Sequence, residues 1–396
     1  MIQISPETQL FIREHSSDDV RTLALQAKKY PDINMPTAIT QIAGRQVAAE
    51  KIPSWREIEE IWYPKHLSLE QCSSEITARY KARLLQGDSL TDLTGGFGID
   101  CSFLATGFKS ATYVERQEEL CEIAAHNFPI LHLNHINVRN EDGVAYLQTM
   151  SPVDCIFLDP ARRNEHGGKT VSIADCEPNV AELEDLLLSK ASRIMIKLSP
   201  MLDLSLALKE LKHTQEIHIL SVNNECKELL ILLGQTSPAE ITIHCVNLFT
   251  KGTQEEQHFV FTREQEQRSQ CTYTDSLGDY LYEPNASLLK AGAFRSIAAA
   301  YPVRKLHPNS HLYTSDTFIE NFPGRIFRIV NQCSFNKKEV KENLADLKKA
   351  NVTVRNFPAT VAELRKRLHL TEGGDTYLFA STLNNGQKVI IRCEKV

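Results

Sequence analysis

Hydrophobic residues follow two different spacings along this chain. From residue 6 to about residue 63 they recur at helical spacing with prolines interrupting the pattern, which predicts a small helical domain. From residue 68 the pattern changes: Ser74 is the predicted N-cap of a helix over 75–86, and short apolar runs then alternate with helical segments. Such alternation predicts a parallel sheet that helices cover on both faces.

Five short apolar runs are each separated by enough chain for a crossover helix. They predict parallel strands at residues 89–93, 111–115, 135–138, 153–158 and 193–198. Two further runs, 216–222 and 227–233, are joined by so few residues that they require an antiparallel hairpin. We therefore expect five parallel strands closed by an antiparallel final strand. Residues 241–249 and 257–262 predict one more hairpin.

The C-terminal pattern is β-α-β-α-β-β. It consists of strands at 325–330, 352–355, 376–383 and 387–393 and helices at 337–349 and 361–368. Capping boxes begin both helices, Asn336 with Glu339 and Thr360 with Glu363.

These patterns divide the chain into four predicted segments. They are an N-terminal helical domain at 1–66, the sheet domain at 67–271, a connecting segment with a small structure of its own at 272–322, and a basic domain at 323–396.

Composition narrows the class of protein. The chain has 396 residues, of which 42% are hydrophobic, and no run approaches the roughly 18 uncharged apolar residues of a membrane span. The ten cysteines form no C-x-x-C pair, which argues against a zinc ribbon or a disulfide framework. We expect a protein without a membrane segment, in the cytoplasm, with reduced thiols.

The net charge of −6 conceals an asymmetry between the two parts of the chain. Residues 285–396 contain 18 Lys and Arg against 9 Asp and Glu, whereas residues 1–284 contain 26 against 41. The periodicity of the helix predicted at 337–349 directs Lys338 and Lys341 to solvent. A basic domain on an acidic body is expected when one module binds a polyanion and another a small ligand. The alternative is that these basic residues only form a solvent-exposed face of a small domain.

A glycine turn lies between the first predicted strand and the next helix, in the sequence Thr91-Asp92-Leu93-Thr94-Gly95-Gly96-Phe97-Gly98. The glycines allow a tight turn and close approach of the backbone to a ligand. The spacing does not satisfy the dinucleotide pattern G-x-G-x-x-G. Instead, Asp92 precedes the turn, where a carboxylate would repel a pyrophosphate but can hold an ammonium group.

Two more acidic residues lie at the end of the second predicted strand and after the third. Glu115, followed by Arg116, stands where an acidic side chain of an open α/β sheet can accept both hydroxyls of a ribose. Asp142 could accept from an adenine amino group, although a plain helix N-cap is the competing interpretation.

The fourth predicted strand ends in Asp159-Pro160-Ala161-Arg162-Arg163. The carboxyl edge of such a sheet is where ligands bind, and we expect Asp159 and Pro160 beside the reacting atoms. Arg162 and Arg163 suit a phosphate of the acceptor, with ion pairing inside the fold as the alternative.

Together, the glycine turn, Glu115 and the Asp159-Pro160 pair resemble the motifs of class I S-adenosylmethionine-dependent methyltransferases over residues 67–233. Five parallel strands closed by an antiparallel one are also typical of that class rather than of dehydrogenases. The helical N-terminus and basic C-terminus resemble the bacterial methyltransferases with a THUMP-like C-terminal domain. Ser73 and Ser74 lie in a stretch similar to the one that trimethylguanosine synthases place over the methionine end of the cofactor.

This resemblance implies an α/β fold and a cofactor. The fold is a Rossmann-like seven-stranded methyltransferase sheet with an N-terminal helical cap and a small α+β, THUMP-like C-terminal domain, and 272–322 is then a ferredoxin-like segment. The cofactor is S-adenosylmethionine, expected to contact Ser73, Ser74, Asp92, Thr94, Gly95, Gly96, Gly98, Glu115, Arg116 and Asp142. Arg162, Arg163, Lys338 and Lys341 would bind the acceptor.

The resemblance also implies an RNA acceptor, because THUMP domains deliver RNA to an attached catalytic domain. Ala161-Arg162 stand where base-amino methyltransferases have an aromatic residue, and Lys197-Leu198-Ser199-Pro200 lacks the cysteine of pyrimidine-C5 enzymes. The remaining reaction is transfer of a methyl group to a nitrogen or an oxygen of the RNA. A non-catalytic module that binds cofactor and RNA, and a methyltransferase for a protein or small molecule, are the alternatives.

Such a transfer needs mainly positioning of the reactants, with Asp159 orienting the nucleophile. It requires no metal. His126, His132 and His135 are clustered in sequence but lack acidic or thiol partners there, so we do not expect them to bind zinc.

Overall fold

The computed structural model describes residues 4–162 and 172–396, and the chain forms two compact units. The first unit contains residues 1–215 and 230–238, and the second contains 216–229 and 239–396. In the part of the chain described, no helix combines the length and apolar character needed to cross a membrane.

Helices make up the N-terminal part of the first unit, as the apolar spacing predicts. They are α1 (Pro6–Glu14), α2 (Val20–Leu25), α3 (Met35–Lys51), α4 (Pro53–Arg56) and α5 (His66–Gln71), with a 3-10 turn at Ala27–Lys29. The side chains of Ser5 and Asn34 cap α1 and α3 by accepting from backbone N–H groups. Apolar residues of α1, α2 and α3 form a core of their own around Phe11 and Ile42.

Strands and helices alternate in the rest of the first unit. The strands are β1 (Ser89–Asp92), β2 (Ser110–Glu115), β3 (Ile136–Asn140), β4 (Val153–Leu158), β5 (Ala161–Arg162), β6 (Cys176–Glu177) and β7 (Ala191–Leu198). The helices are α6 (Glu75–Ala82), α7 (Ile99–Leu104), α8 (Glu118–Ile130), α9 (Gly143–Thr149), α10 (Val180–Lys190) and α11 (Leu204–Glu210), with 3-10 turns at Ala105–Gly107 and Ile173–Asp175.

Five of these strands form the parallel sheet that the sequence predicts. Their order is β7-β4-β1-β2-β3 and each pair is parallel, whereas β5 and β6 form a separate antiparallel ribbon. Helix α6 ends at Ala82, four residues before the predicted end, because the chain turns there to enter β1. The carboxyl ends of β1, β2, β4 and β7 lie on one edge, where the residues that follow them can meet.

The predicted hairpin after the parallel strands consists of β8 (Thr214–Val222) and β9 (Glu225–Gly234). Asn223 and Asn224 join them with φ of 49° and 68°, the left-handed pair that a tight hairpin turn requires. The last residues of β9 belong to the first unit, where β9 neighbours β7. In the second unit β8 also pairs in parallel with β10 (Thr242–Leu248), which pairs antiparallel with β11 (Glu256–Thr262).

A second sheet contains the C-terminal strands. They are β12 (Tyr280–Pro284), β13 (Arg304–Lys305), β14 (Tyr313–Ser315), β15 (Gly324–Ser334), β16 (Asn351–Val354), β17 (Thr376–Thr382) and β18 (Lys388–Lys395), in the order β13-β14-β12-β15-β18-β17-β16. The helices of this unit are α12 (Arg263–Arg268), α13 (Ala286–Ala291), α14 (Phe294–Ala300), α15 (Lys337–Leu344) and α16 (Val361–Leu368).

The predicted β-α-β-α-β-β order from β15 to β18 is confirmed. Helix α15 ends at Leu344 rather than at residue 349, because Lys349 leaves the helix to form a backbone bridge with Thr371. The buried carboxylate of Glu283, on β12, accepts hydrogen bonds from Arg325 on β15 and from Arg355, which follows β16. This ion cluster fastens β12 to the strands that follow it.

Candidate active site

The carboxyl end of β1 leads into the glycine turn identified in the sequence. The N–H of Gly95 donates to the carbonyl of Val114 at 2.9 Å, which ties the turn to β2. A Cβ at Gly95 would lie 2.2 Å from the ring of Tyr113, so no larger residue fits there. Gly98 precedes α7 with φ 87°, a conformation that other residues rarely adopt. The glycines are therefore required by the turn itself.

Asp92, the last residue of β1, is a buried carboxylate with one unsatisfied oxygen. Only 1% of the residue is exposed. Its Oδ1 accepts from the N–H of Thr94 at 3.0 Å, whereas its Oδ2 has no hydrogen-bond partner among the described residues. Burial raises the pKa of Asp92 well above its usual value, and the carboxyls of Asp100, Asp159 and Glu115 raise it further. An oxygen in this state can accept a hydrogen bond from a cationic donor.

Glu115 ends β2 and braces the glycine turn. One carboxylate oxygen accepts from the N–H of Gly96 at 2.9 Å, and the other accepts from the N–H of Gln117 at 2.8 Å. The residue is 9% exposed. The structure thus places Glu115 beside the same turn as Asp92, as the sequence predicts. The side chain of Arg116 pairs with exposed Glu177 on β6 at 3.3 Å.

Asp159 and Pro160 follow β4 next to the end of β1. The N–H of Asp159 donates to the Oγ1 of Thr94 at 2.6 Å, which joins the two loops. Pro160 is buried, whereas 36% of the Asp159 side chain remains exposed to solvent. The Nζ of Lys197, on β7, lies 2.6 Å from the Oδ2 of Asp159. The predicted catalytic carboxylate is therefore one half of an ion pair.

That ion pair belongs to a larger buried cluster. Besides Asp159, Lys197 contacts the Oδ2 of Asp100 at 3.2 Å and the hydroxyl of Ser73 at 2.9 Å. Lys81, on α6, lies 3.0 Å from the Oδ1 of Asp100 and donates to Ser73 at 3.0 Å. The hydroxyl of Ser73 donates to Asp100 at 2.7 Å. Four ionisable side chains and one hydroxyl are thus connected.

Opposite charges balance within this cluster. Lys81 is completely buried, and 9% of Asp100 is exposed. Burial alone would raise the pKa of Asp100, but the ammonium groups of Lys81 and Lys197 hold it below its usual value. Burial also raises the pKa of Asp159, and Lys197 opposes that shift. Lys197 is therefore held between two carboxylates. Asp100 is buried, and Asp159 is partly exposed at the rim, the edge formed by the carboxyl ends of β1, β2, β4 and β7.

Several predicted site residues do not join this rim. Asp142 is the N-cap of α9, where its Oδ1 accepts from the N–H groups of Val144 and Ala145. Ser74 occupies the N-cap position of α6, but its side chain makes no capping hydrogen bond to the backbone. Among the remaining candidates, Arg162 lies on β5 with only its backbone described, Arg163 falls outside the described residues, and Lys338 and Lys341 are exposed on α15 in the second unit.

Two of the three clustered histidines, His126 and His135, make local contacts. The Nε2 of His126 lies 2.8 Å from the carbonyl of Glu60, and its ring stacks on Trp62. The Nε2 of His135 lies 3.0 Å from the carbonyl of Ala105.

Three members of the cluster were not predicted from the sequence as site residues, namely Lys81, Asp100 and Lys197. A signal for Lys197 was present, because a lysine inside the apolar run Ile194-Met195-Ile196-Lys197-Leu198 must be paired if that strand is buried. Its partner could not be named from sequence, since Asp100 lies 97 positions away in the chain.

The chain is similar to proteins of known structure, and its C-terminal residues match two domain families. The chain is similar to a protein from Porphyromonas gingivalis W83 whose crystal structure is known, with 35% identity, 100% of each chain covered and a TM-score of 0.87. The family model for a ferredoxin-like domain matches residues 280–323, and the model for a THUMP domain-like family matches 324–395. No curated protein matches the sequence.

Two other solved structures resemble only part of the chain. An rRNA methylase from Streptococcus thermophilus is 14% identical, with 40% of this chain and 93% of that chain covered, and its TM-score is 0.30. A protein from Streptococcus mutans in complex with SAH is 11% identical, with 40% and 96% covered and a TM-score of 0.30. The P. gingivalis and S. mutans proteins are both described as putative methyltransferases. Both of the partial likenesses are distant.

Because Asp92 is buried, we expect the stability of the folded protein to depend on pH. The folded state raises the pKa of Asp92 above its usual value, so folding favours the protonated acid and stability falls as pH rises above about 4. Asp92→Asn removes the ionisable carboxyl and should stabilise the ligand-free protein at pH 8 by about 1 to 3 kcal/mol. The gain should shrink at pH 5, where Asp92 is more often protonated.

Urea unfolding at pH 5 and pH 8 measures this difference. Asp185→Asn, on the exposed side of α10, is the matched control and should leave stability unchanged at both pH values. A variant of Asp92 that is less stable than the wild type at pH 8 would contradict the interpretation.

Proposed function

Because the chain belongs to the family of methyltransferases with a THUMP-like C-terminal domain, we propose that it transfers the methyl group of S-adenosylmethionine to a nitrogen or oxygen of RNA. The observation that carries the cofactor assignment is the unsatisfied Oδ2 of buried Asp92. A non-catalytic module that binds cofactor and RNA, and a methyltransferase for a protein or small molecule, are the competing functions.

Two carboxylates fit the polar groups of the cofactor. The Oδ2 of Asp92 suits the ammonium of the methionine part, which would supply the cationic donor that the fold does not. Each carboxylate oxygen of Glu115 accepts one backbone N–H and keeps a lone pair for a ribose hydroxyl. Thr94, Gly95, Gly96 and Gly98 form the turn between these acids. When bound, S-adenosylmethionine supplies an electrophilic methyl group on a sulfonium.

Asp159 and Lys197 are the groups we assign to the acceptor. Asp159 is partly exposed at the rim, where its carboxylate can accept a hydrogen bond from the nucleophile and so fix the direction of its lone pair. Lys197 holds that carboxylate in place through the contact at 2.6 Å. Pro160 limits the backbone of the loop and keeps Asp159 near Thr94.

The ammonium of Lys197 favours oxygen over nitrogen within this proposal. A hydroxyl that loses its proton during attack gains negative charge, which a neighbouring ammonium stabilises. A neutral amine that attacks gains positive charge, which the same ammonium opposes. The proton of a hydroxyl acceptor would pass to Asp159.

The basic C-terminal residues support RNA as the acceptor. Several arginines there are used in ion pairs, namely Arg328 with Glu394, Arg365 with Glu372 and Arg392 with Asp346. Lys338 and Lys341 are exposed on α15 and form no ion pair among the described residues. Lysines in this state can neutralise phosphates and release counterions.

Cofactor binding is tested by calorimetry with S-adenosylhomocysteine. We expect Asp92→Asn and Glu115→Gln each to weaken binding by about tenfold or more, because each removes a charged hydrogen-bond acceptor. Asp185→Asn is the control and should bind as the wild type does. Unchanged affinity in both rim variants would remove the cofactor assignment.

Methyl transfer is tested by mass spectrometry of nucleosides after the full-length protein acts on RNA from cells that lack the gene. We expect a new methylated nucleoside, and a loss of about a hundredfold in rate for Asp159→Asn and Lys197→Met, with affinity for S-adenosylhomocysteine retained. Lys209→Met, at an exposed position of α11, should be as active as the wild type. Retained affinity also shows that the variants fold.

The position of the methyl group separates the alternatives. A methyl on a ribose oxygen supports the role given to Lys197, whereas one on a base nitrogen contradicts it. Full activity of both variants would contradict the catalytic roles, and no methylated nucleoside with any RNA would favour the non-catalytic module or another acceptor.

RNA binding is tested with Lys338→Glu and Lys341→Glu combined in the full chain. We expect weaker binding, and a slope of log affinity against log salt that is shallower by about 1 to 2. The matched control is Lys209→Glu with Lys212→Glu, two exposed lysines of the first unit with the same change in charge. Equal losses in both double variants would show that α15 is not a specific RNA contact.

A further inference from the structure

The second unit contains a cluster of histidines that the proposed methyl transfer does not use. Glu216 and His218 lie on β8, His244 on β10 and His258 on β11. These three strands are neighbours, in the order β11-β10-β8.

Strand register brings these four side chains to one face. Glu216 and His218 are two residues apart and therefore point to the same side of β8. His244 pairs directly with His218. His258 pairs with Val246, which shares its face with His244 two residues earlier. Because neighbouring strands are only about 4.8 Å apart, the three strands crowd the polar side chains together.

The ligand atoms lie at distances that suit a metal ion. The Nε2 of His218 is 3.3 Å from the Oε2 of Glu216, and the Nδ1 of His244 is 3.1 Å from the Nε2 of His258. One ligand atom each of Glu216, His218 and His244 lies within 4.8 Å of the others. Ligands of tetrahedral zinc, at about 2.0 to 2.1 Å from the metal, are roughly 3.3 Å from each other.

We propose that Glu216, His218 and His244 bind Zn²⁺, with His258 as the fourth ligand. Imidazole nitrogens with one carboxylate oxygen are a ligand set that zinc uses in proteins, and the carboxylate supplies negative charge beside three neutral rings. With four protein ligands the site is structural, and it fastens β8, β10 and β11 across their side chains. It is independent of the proposed methyl transfer, to which Asp159 and Lys197 contribute.

Occupation requires a modest rearrangement of two rings. His218 and His244 stack in parallel, with ring centroids 4.3 Å apart and an interplanar angle of 10°. Stacked rings direct their nitrogens side by side, so both must rotate to converge on one ion. Rotation about the bond between Cβ and the ring is soft, which makes this change accessible. His258 is exposed and 34% of the Glu216 side chain is exposed, so these two side chains can adjust.

Equilibrium dialysis of the full chain against Zn²⁺, with metal counted by mass spectrometry, tests the proposal. We expect one zinc per chain for the wild type, and affinity lower by about tenfold or more in His244→Ala and in Glu216→Gln. Replacement by Co²⁺ should give the intense visible absorption of tetrahedral coordination. His126→Ala, which removes a histidine stacked on Trp62 in the other unit, is the matched control and should keep its zinc.

The variants are chosen so that misfolding cannot imitate the expected result. His218 is buried, and its replacement could disturb the sheet, whereas His258→Ala changes an exposed position and should also weaken binding. Circular dichroism of each variant without metal checks the fold. Zinc content well below one per chain in the wild type would overturn the proposal. Equal zinc in wild type, His244→Ala and Glu216→Gln would overturn it as well.

Discussion

Charges buried at the carboxyl ends of the parallel strands must be neutralised inside the protein, and the arrangement of the first unit depends on this requirement. A single ammonium or carboxylate without a partner in such a place costs several kcal/mol. Lys81 is completely buried, and it is accommodated because Asp100 and Ser73 meet it from two other segments. Lys197 completes the cluster and extends it to Asp159 at the rim.

This cluster connects elements that are distant in the chain. Helix α6 supplies Lys81, α7 supplies Asp100, β7 supplies Lys197, and the residues between α5 and α6 supply Ser73. A displacement of any of these elements would leave a buried charge without its partner, which makes the cluster sensitive to their relative positions. The residues that we assign to the acceptor are thus fixed by contacts deep in the fold rather than by the rim loops alone.

The sequence predicts most of the fold, because strand and helix patterns are local. The five parallel strands and the hairpin at Asn223-Asn224 are found where the apolar runs predict them. The ends of α6 and α15 were misplaced, since they depend on contacts with residues far along the chain. Asp92 and Glu115 could be identified as site candidates because each is the last residue of a strand, a position that the local pattern predicts. The cluster around Lys197 could not be, because register and helix packing bring its members together.

Asp92 and Asp100 are two buried acids close enough to influence each other's pKa, and they differ in whether a lysine contacts them. Lys81 and Lys197 both contact Asp100, and their ammonium groups hold its pKa below its usual value. Asp92 is close to three other carboxyls and receives one backbone N–H, and its pKa is raised. Lys81 and Lys197 contact other carboxylates in this region, and the Oδ2 of Asp92 has no hydrogen-bond partner among the described residues. A bound ligand could therefore supply the donor that Asp92 lacks. A cationic ligand group would lower the energy of the ionised acid more here than at any carboxylate already paired, because it replaces an absent partner rather than competing with a present one.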